Sequence, residues 1–80
     1  MDLKEAVAVA KQQVNDLLAP DLPHNVRLEE FLYDDHLGIW SLTIGYVLPG
    51  RHREAPPPVR NYKIVRVSEA NKSVLSVRDR

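Results

Sequence analysis

No cysteine occurs in this 80-residue chain, so neither a disulfide framework nor a thiolate metal site can hold it together. Glycine is nearly as scarce, with three in all, and no glycine-rich phosphate cradle is present. Aromatic residues are one Trp, three Tyr and one Phe, and none falls between residues 49 and 60. That argues against a stacking platform for single-stranded nucleic acid in that segment. No apolar run approaches the roughly 18–20 residues of a membrane span. Asp2, Lys4, Glu5 and Lys11 interrupt the N-terminal stretch, which therefore does not read as a signal peptide, and a cytoplasmic protein is expected. Eighty residues make one domain, residues 1–80, and a domain of that size buries only about 60% of its unfolded surface. Stability must come from apolar packing, alone or with a partner chain.

Charge is balanced overall and uneven along the chain. Residues 1–48 carry eight acids against three bases, and residues 49–80 carry eight bases against three acids. Two readings follow. Interleaving of the halves in the fold would neutralise them pairwise, whereas segregation would give an acidic and a basic face suited to steering a partner.

The pattern predicts one helix and four strands. Over residues 3–18, Leu3, Val7, Ala10, Val14 and Leu17 fall on one stripe, widened by Ala6 and Leu18. Asp2 and Glu5 give a capping-box-like start, and Ala19-Pro20 ends the helix. A first strand over about 26–33 breaks strict alternation, and a bulge at Glu29-Glu30 would bring Val26, Leu28, Phe31 and Tyr33 to the core side with both acids outward. Asp34 to Gly38 is a turn, with Gly38 available for positive φ. In the second strand, about 39–48, Trp40, Leu42, Ile44, Tyr46 and Leu48 should pack on the helix. Ser41, Thr43, Gly45 and Val47 should face water or a partner, and Gly45 offers a bend or a close backbone approach.

The last twenty residues form a hairpin, with strands over about 61–67 and 74–78. Asn71 is the turn residue best suited to left-handed backbone. The third strand has Tyr62 and Ile64 on one face against Val65 and Val67 on the other. By alternation the fourth sets Val74 against Leu75 and Val77. One helix covers one face of a sheet, so this apolar surplus favours a homodimer. Residues 49–60 read as a mobile, Pro-rich loop, with Pro56, Pro57 and Pro58 favouring an extended spacer.

Candidate chemistry is sparse. Asp34, Asp35 and His36 read as a polar turn, since three adjacent ligands rarely converge on one metal ion. Glu29 and Glu30 point to opposite faces of a strand and make a poor carboxylate pair. Serines 41, 68, 73 and 76 have no suggestively placed histidine. No catalytic residue, cofactor or metal site is expected. Arg51, His52, Arg53 and Arg60 form the basic cluster of the loop and are the candidate partner-binding residues. An alternative is a small-molecule pocket lined by Trp40, Tyr46 and Tyr62. A further alternative is nucleic-acid binding through Arg51, Arg53, Arg60, Arg78 and Arg80.

The stretches Lys4–Lys11, Ile39–Tyr46, Tyr62–Val67 and Val74–Val77 resemble a group of small uncharacterised bacterial proteins that are in turn similar to PepSY-type domains. Those domains have a helix followed by strands, with a Trp near one strand's start and a closing hairpin. Here the hairpin turn, Ser68–Lys72, lacks the Asp and Gly often found there. The resemblance implies a regulatory or inhibitory module and transfers no catalytic residue. The expected architecture is α+β: one N-terminal helix packed on a four-stranded antiparallel sheet, αββββ. The expected function is a non-catalytic protein-interaction module.

Overall fold

Asp2 starts the first helix as its position predicts: its carboxylate accepts a hydrogen bond from the Glu5 N–H at 2.8 Å. In this computed structural model, which describes residues 1–49 and 60–80, helix α1 runs Leu3–Leu18 and tightens into a 3-10 turn at Ala19–Asp21. Strands β1 (His24–Asp34), β2 (Ile39–Val47), β3 (Asn61–Ser68) and β4 (Ser73–Asp79) follow. They pair antiparallel in the order β1-β2-β3-β4, so the sheet is a simple meander with β1 and β4 at its edges. The α+β, αββββ expectation holds, and the strand order adds what periodicity does not encode. Among the described residues no helix is long and apolar enough to cross a membrane.

The core lies between α1 and one face of the sheet. Ala6, Ala10 and Val14 are fully buried against Trp40, Leu42, Ile44 and Tyr46 of β2 and Val65 and Val67 of β3. The two alanines at the helix centre let the backbone approach the sheet closely. Contact runs along an i, i+4 row, and such rows are inclined to the helix axis. The row therefore continues to Leu18, which packs on the core, and rotates Leu17 away to 52% exposure. Leu17 was expected in the buried stripe and is not part of it.

Two of the three register shifts in the sheet decide which strand residues reach this core. In β1 the register shifts between Leu28, opposite Ile44, and Glu30, opposite Thr43. The expected bulge is present, and Leu28 and Phe31 lie on the helix side either side of it. Only Val26 and Leu28 pack onto the core, however. Phe31 and Tyr33 stay half exposed because β1 is an edge, and they lean on Trp40 with ring centroids 6.3 and 4.6 Å away. The Tyr33 hydroxyl donates to the Glu69 carboxylate, which raises the phenol above its ordinary pKa. In β4 the register shifts between Arg66, opposite Ser76, and Val67, opposite Val74. This places both Val74 and Val77 on the core and leaves Leu75 half exposed. The extra residue thus overturns the strict alternation expected there.

The turns follow local chemistry. Asp34 accepts from the N–H groups of His36 and Leu37 at 3.0 Å each, and Gly38 takes φ 65°. In the closing hairpin, pairing of Ser68 with Ser73 leaves residues 69–72 as the turn. Its left-handed residue is Lys72 (φ 54°) rather than Asn71, whose N–H instead donates to Ser68 Oγ at 3.3 Å. A helical-type turn closed by one left-handed residue places that residue last, next to the returning strand.

A candidate binding face on the open side of the sheet

The register assigns the other face. Residues opposite one another across strands project to the same side. Thr43 faces Glu30 and Ile64, Ile64 faces Arg78, and Ser41 faces Leu32 and Arg66, which in turn faces Ser76. Gly45 faces Arg27 and Tyr62. None of these residues belongs to the core packed on the helix.

Long side chains roof part of this face. A Cβ on Gly45 would lie 2.6 Å from Glu29 Oε1 and 2.8 Å from Arg60 Nη2, so only glycine leaves room for that ion pair to lie flat on β2. The close approach expected at Gly45 is real, and side chains rather than backbone use it. The Arg60 guanidinium donates to Glu29 at 3.1 Å and to the Asn25 carbonyl at 2.9 Å, while Arg27 donates to Glu29 at 3.0 Å. Thr43 donates to Glu30 at 3.3 Å, and Arg80 lies over the Tyr62 ring at 5.2 Å and 3.8 Å from Glu30. Thr43 and Gly45 are consequently buried, and Val47 is buried as well, although alternation marks all three as solvent-facing.

Glu29 shows how far this clamp is electrostatic. The hydrogen bond from Arg27, assisted by the charges of Arg27 and Arg60, outweighs desolvation and holds the carboxyl below its ordinary value of 4.5. A carboxyl lowered in the folded state contributes stability above its ordinary pKa and loses it as pH falls through the folded value. Glu29→Gln is therefore expected to be less stable than the parent near neutrality, with the gap closing in acid as pH falls from the ordinary value of 4.5 through the lowered folded one. Denaturant midpoints measured at both pH values check this. A gap of equal size at both would remove the electrostatic account.

Both readings of the charge asymmetry are partly realised. Lys72 reaches Glu5 at 3.4 Å, and Arg60 and Arg80 reach Glu29 and Glu30, so the basic half does neutralise the acidic half across the fold. Arg66 and Arg78 make no ion pair among the described residues. They flank a shallow depression of ≈ 290 Å³, bordered also by Ser41, Thr43, Ser76, Ile64, Leu32, Phe31 and Glu30. Five arginines (27, 60, 66, 78 and 80) share this side with three acids, Glu29, Glu30 and, at the strand end, Asp34. The face carries a clear positive surplus.

The partner-binding cluster expected from the sequence lies elsewhere, whereas Arg78 and Arg80 of the nucleic-acid alternative fall on this face. Arg51, His52, Arg53 and the three prolines of 56–58 lie outside the described residues. Arg60 is a clamp whose charge is already met by Glu29. Trp40 and Tyr46 are core residues, while Tyr62 lies on the open face, so the three do not line one helix–sheet pocket. Tyr46 and Tyr62 do border a second shallow depression at the strand ends, with Arg60, Asn61, Asp79 and Arg80. Among the described residues no group of three or more His, Asp or Glu side chains is arranged to hold a metal ion. Arg66 sits within a strand and carries no motif; its one signal is position, since with Ile64 it is on the strand face that one helix cannot cover.

Searches against protein-family models, curated proteins and solved structures find no match to this chain.

Proposed function

We propose that this domain is a non-catalytic interaction module that docks an acidic, extended protein segment across the open face of its sheet. The observation that carries the proposal is the pair Arg66 and Arg78, two guanidiniums without an ion-pair partner among the described residues, beside a depression whose lining combines hydroxyl-bearing residues with Ile64 and Leu32. Neighbouring Ser41 and Ser76 have no imidazole in the lining of that depression, which supports binding rather than nucleophilic chemistry. A second copy of this chain is a poor occupant, because face-to-face packing would bring two sets of arginines together. The apolar surplus that favours a dimer is also smaller than alternation implies, since Val65, Val67, Val74 and Val77 all join the core. The PepSY-type resemblance adds a regulatory or inhibitory role to this reading.

Fluorescence anisotropy with a labelled Glu-rich peptide of about ten residues, the length of a long strand, tests it. The parent protein is expected to bind that peptide and not its Gln counterpart, and to lose affinity as salt rises from about 50 mM to about 0.5 M. Arg66→Glu with Arg78→Glu is expected to weaken binding at least about tenfold while leaving the circular dichroism spectrum unchanged. Binding that ignores charge and salt overturns the proposal. So does preference for a single-stranded oligonucleotide over the peptide, which would favour nucleic-acid recognition instead.

A further inference from the structure

The lining of the depression has more hydrogen-bond donors than a carboxylate side chain needs. Arg66 and Arg78 stand on neighbouring strands, diagonal to one another because Arg66 faces Ser76 and Arg78 faces Ile64. Diagonal residues on one sheet face are about 7–8 Å apart, a span that two long arginine side chains converge across easily. Each guanidinium offers five N–H donors in a planar fork, and neither is used by a carboxylate of the described chain. The Ser41 and Ser76 hydroxyls border the same depression. Thr43 is different, because its hydroxyl is already turned to Glu30.

Charge sharpens the choice. Two unneutralised guanidiniums place a formal charge of about +2 beside the depression, which matches the −1.5 to −2 of a phosphomonoester better than the single charge of a carboxylate. Glu30 also lines the depression but is engaged by Thr43 and lies 3.8 Å from Arg80, so an anion is favoured on the Arg66–Arg78 side. Ile64 lies within the lining, with well-exposed Leu32 beside it, giving the stem of a bound side chain apolar surface to lie on.

We infer that this depression is a phosphate-reading subsite, in which Arg66, Arg78, Ser41 and Ser76 hold the phosphoryl group of a phosphorylated side chain in the docked segment. The inference rests on the interaction-module reading and names the chemistry that reading would recognise. It involves binding alone and no transfer of the phosphoryl group.

Three versions of one labelled acidic peptide, with phosphoserine, Glu or Gln at the central position, test the inference by anisotropy against the full chain. The phosphoserine form is expected to bind about tenfold or more tightly than the Glu form, since charge-assisted bonds to phosphate outnumber those to carboxylate. Arg66→Gln and Arg78→Gln are each expected to erase that preference, and Ser41→Ala with Ser76→Ala to reduce it. Equal affinity for the phosphoserine and Glu forms overturns the inference and leaves the interaction module standing. No binding of any acidic form overturns both. A preference that survives in both arginine variants places phosphate recognition elsewhere and overturns this site.

Discussion

Leu42→Ala is expected to lower stability by about 2–5 kcal/mol. Leu42 is fully buried on the central strand β2, directly between Phe31 of β1 and Val65 of β3, and beneath the helix. Truncation removes both its transfer free energy and its packing, and the alanines above cannot extend to fill the gap. A chain of this length has a total stability of roughly 4–12 kcal/mol, so the loss is a large part of the whole. Thermal unfolding should shift down by at least about 10 °C, read by circular dichroism. A shift of only a degree or two would mean that the helix does not seal this face.

The helix–sheet spacing gives the second large effect. Ala10 packs against the sheet and is wholly shielded from solvent, whereas Ala8, two residues earlier, is exposed. Leucine has nearly the same helix propensity as alanine, so propensity cancels between these positions. Ala10→Leu must lift the helix or force its neighbours off their rotamers, at a cost of about 1–3 kcal/mol. Ala8→Leu should be close to neutral. Denaturant midpoints of the two variants separate the cases directly, and equal midpoints would refute the close approach inferred from the alanine row.

The helix, four strands and turn positions were legible because periodicity and turn chemistry are local. Leu3–Leu18, the bulge beside Glu29 and the left-handed Gly38 all follow from neighbouring residues alone. The departures have one shared cause, which is that tertiary context selects among locally allowed arrangements. The inclined contact row excluded Leu17. A second bulge moved Leu75 off the core, and hairpin closure gave the left-handed position to Lys72.

The candidate site was less legible for a related reason. Sequence draws attention to residues adjacent along the chain, such as Arg51, His52 and Arg53, whereas a sheet face gathers residues from different strands. Arg66 and Arg78 are twelve positions apart and become neighbours only once β3 and β4 pair, and Arg60 is withdrawn from candidacy only by Glu29, thirty-one positions earlier. The charge asymmetry did carry the outline of the result. Arg60, Lys72 and Arg80 pair with acids of the first half, and among the described residues Arg66 and Arg78, left without an ion pair, lie on one face.

Amide chemical-shift mapping of the full chain, titrated with the Glu-rich peptide, tests the central claim most directly. The account predicts shifts clustered at Leu32, Ser41, Thr43, Ile64, Arg66, Ser76 and Arg78, with the outer helix surface at Lys4, Ala8 and Asn15 unmoved. Shifts confined to the helix, or to the strand ends away from Arg66 and Arg78, would contradict it.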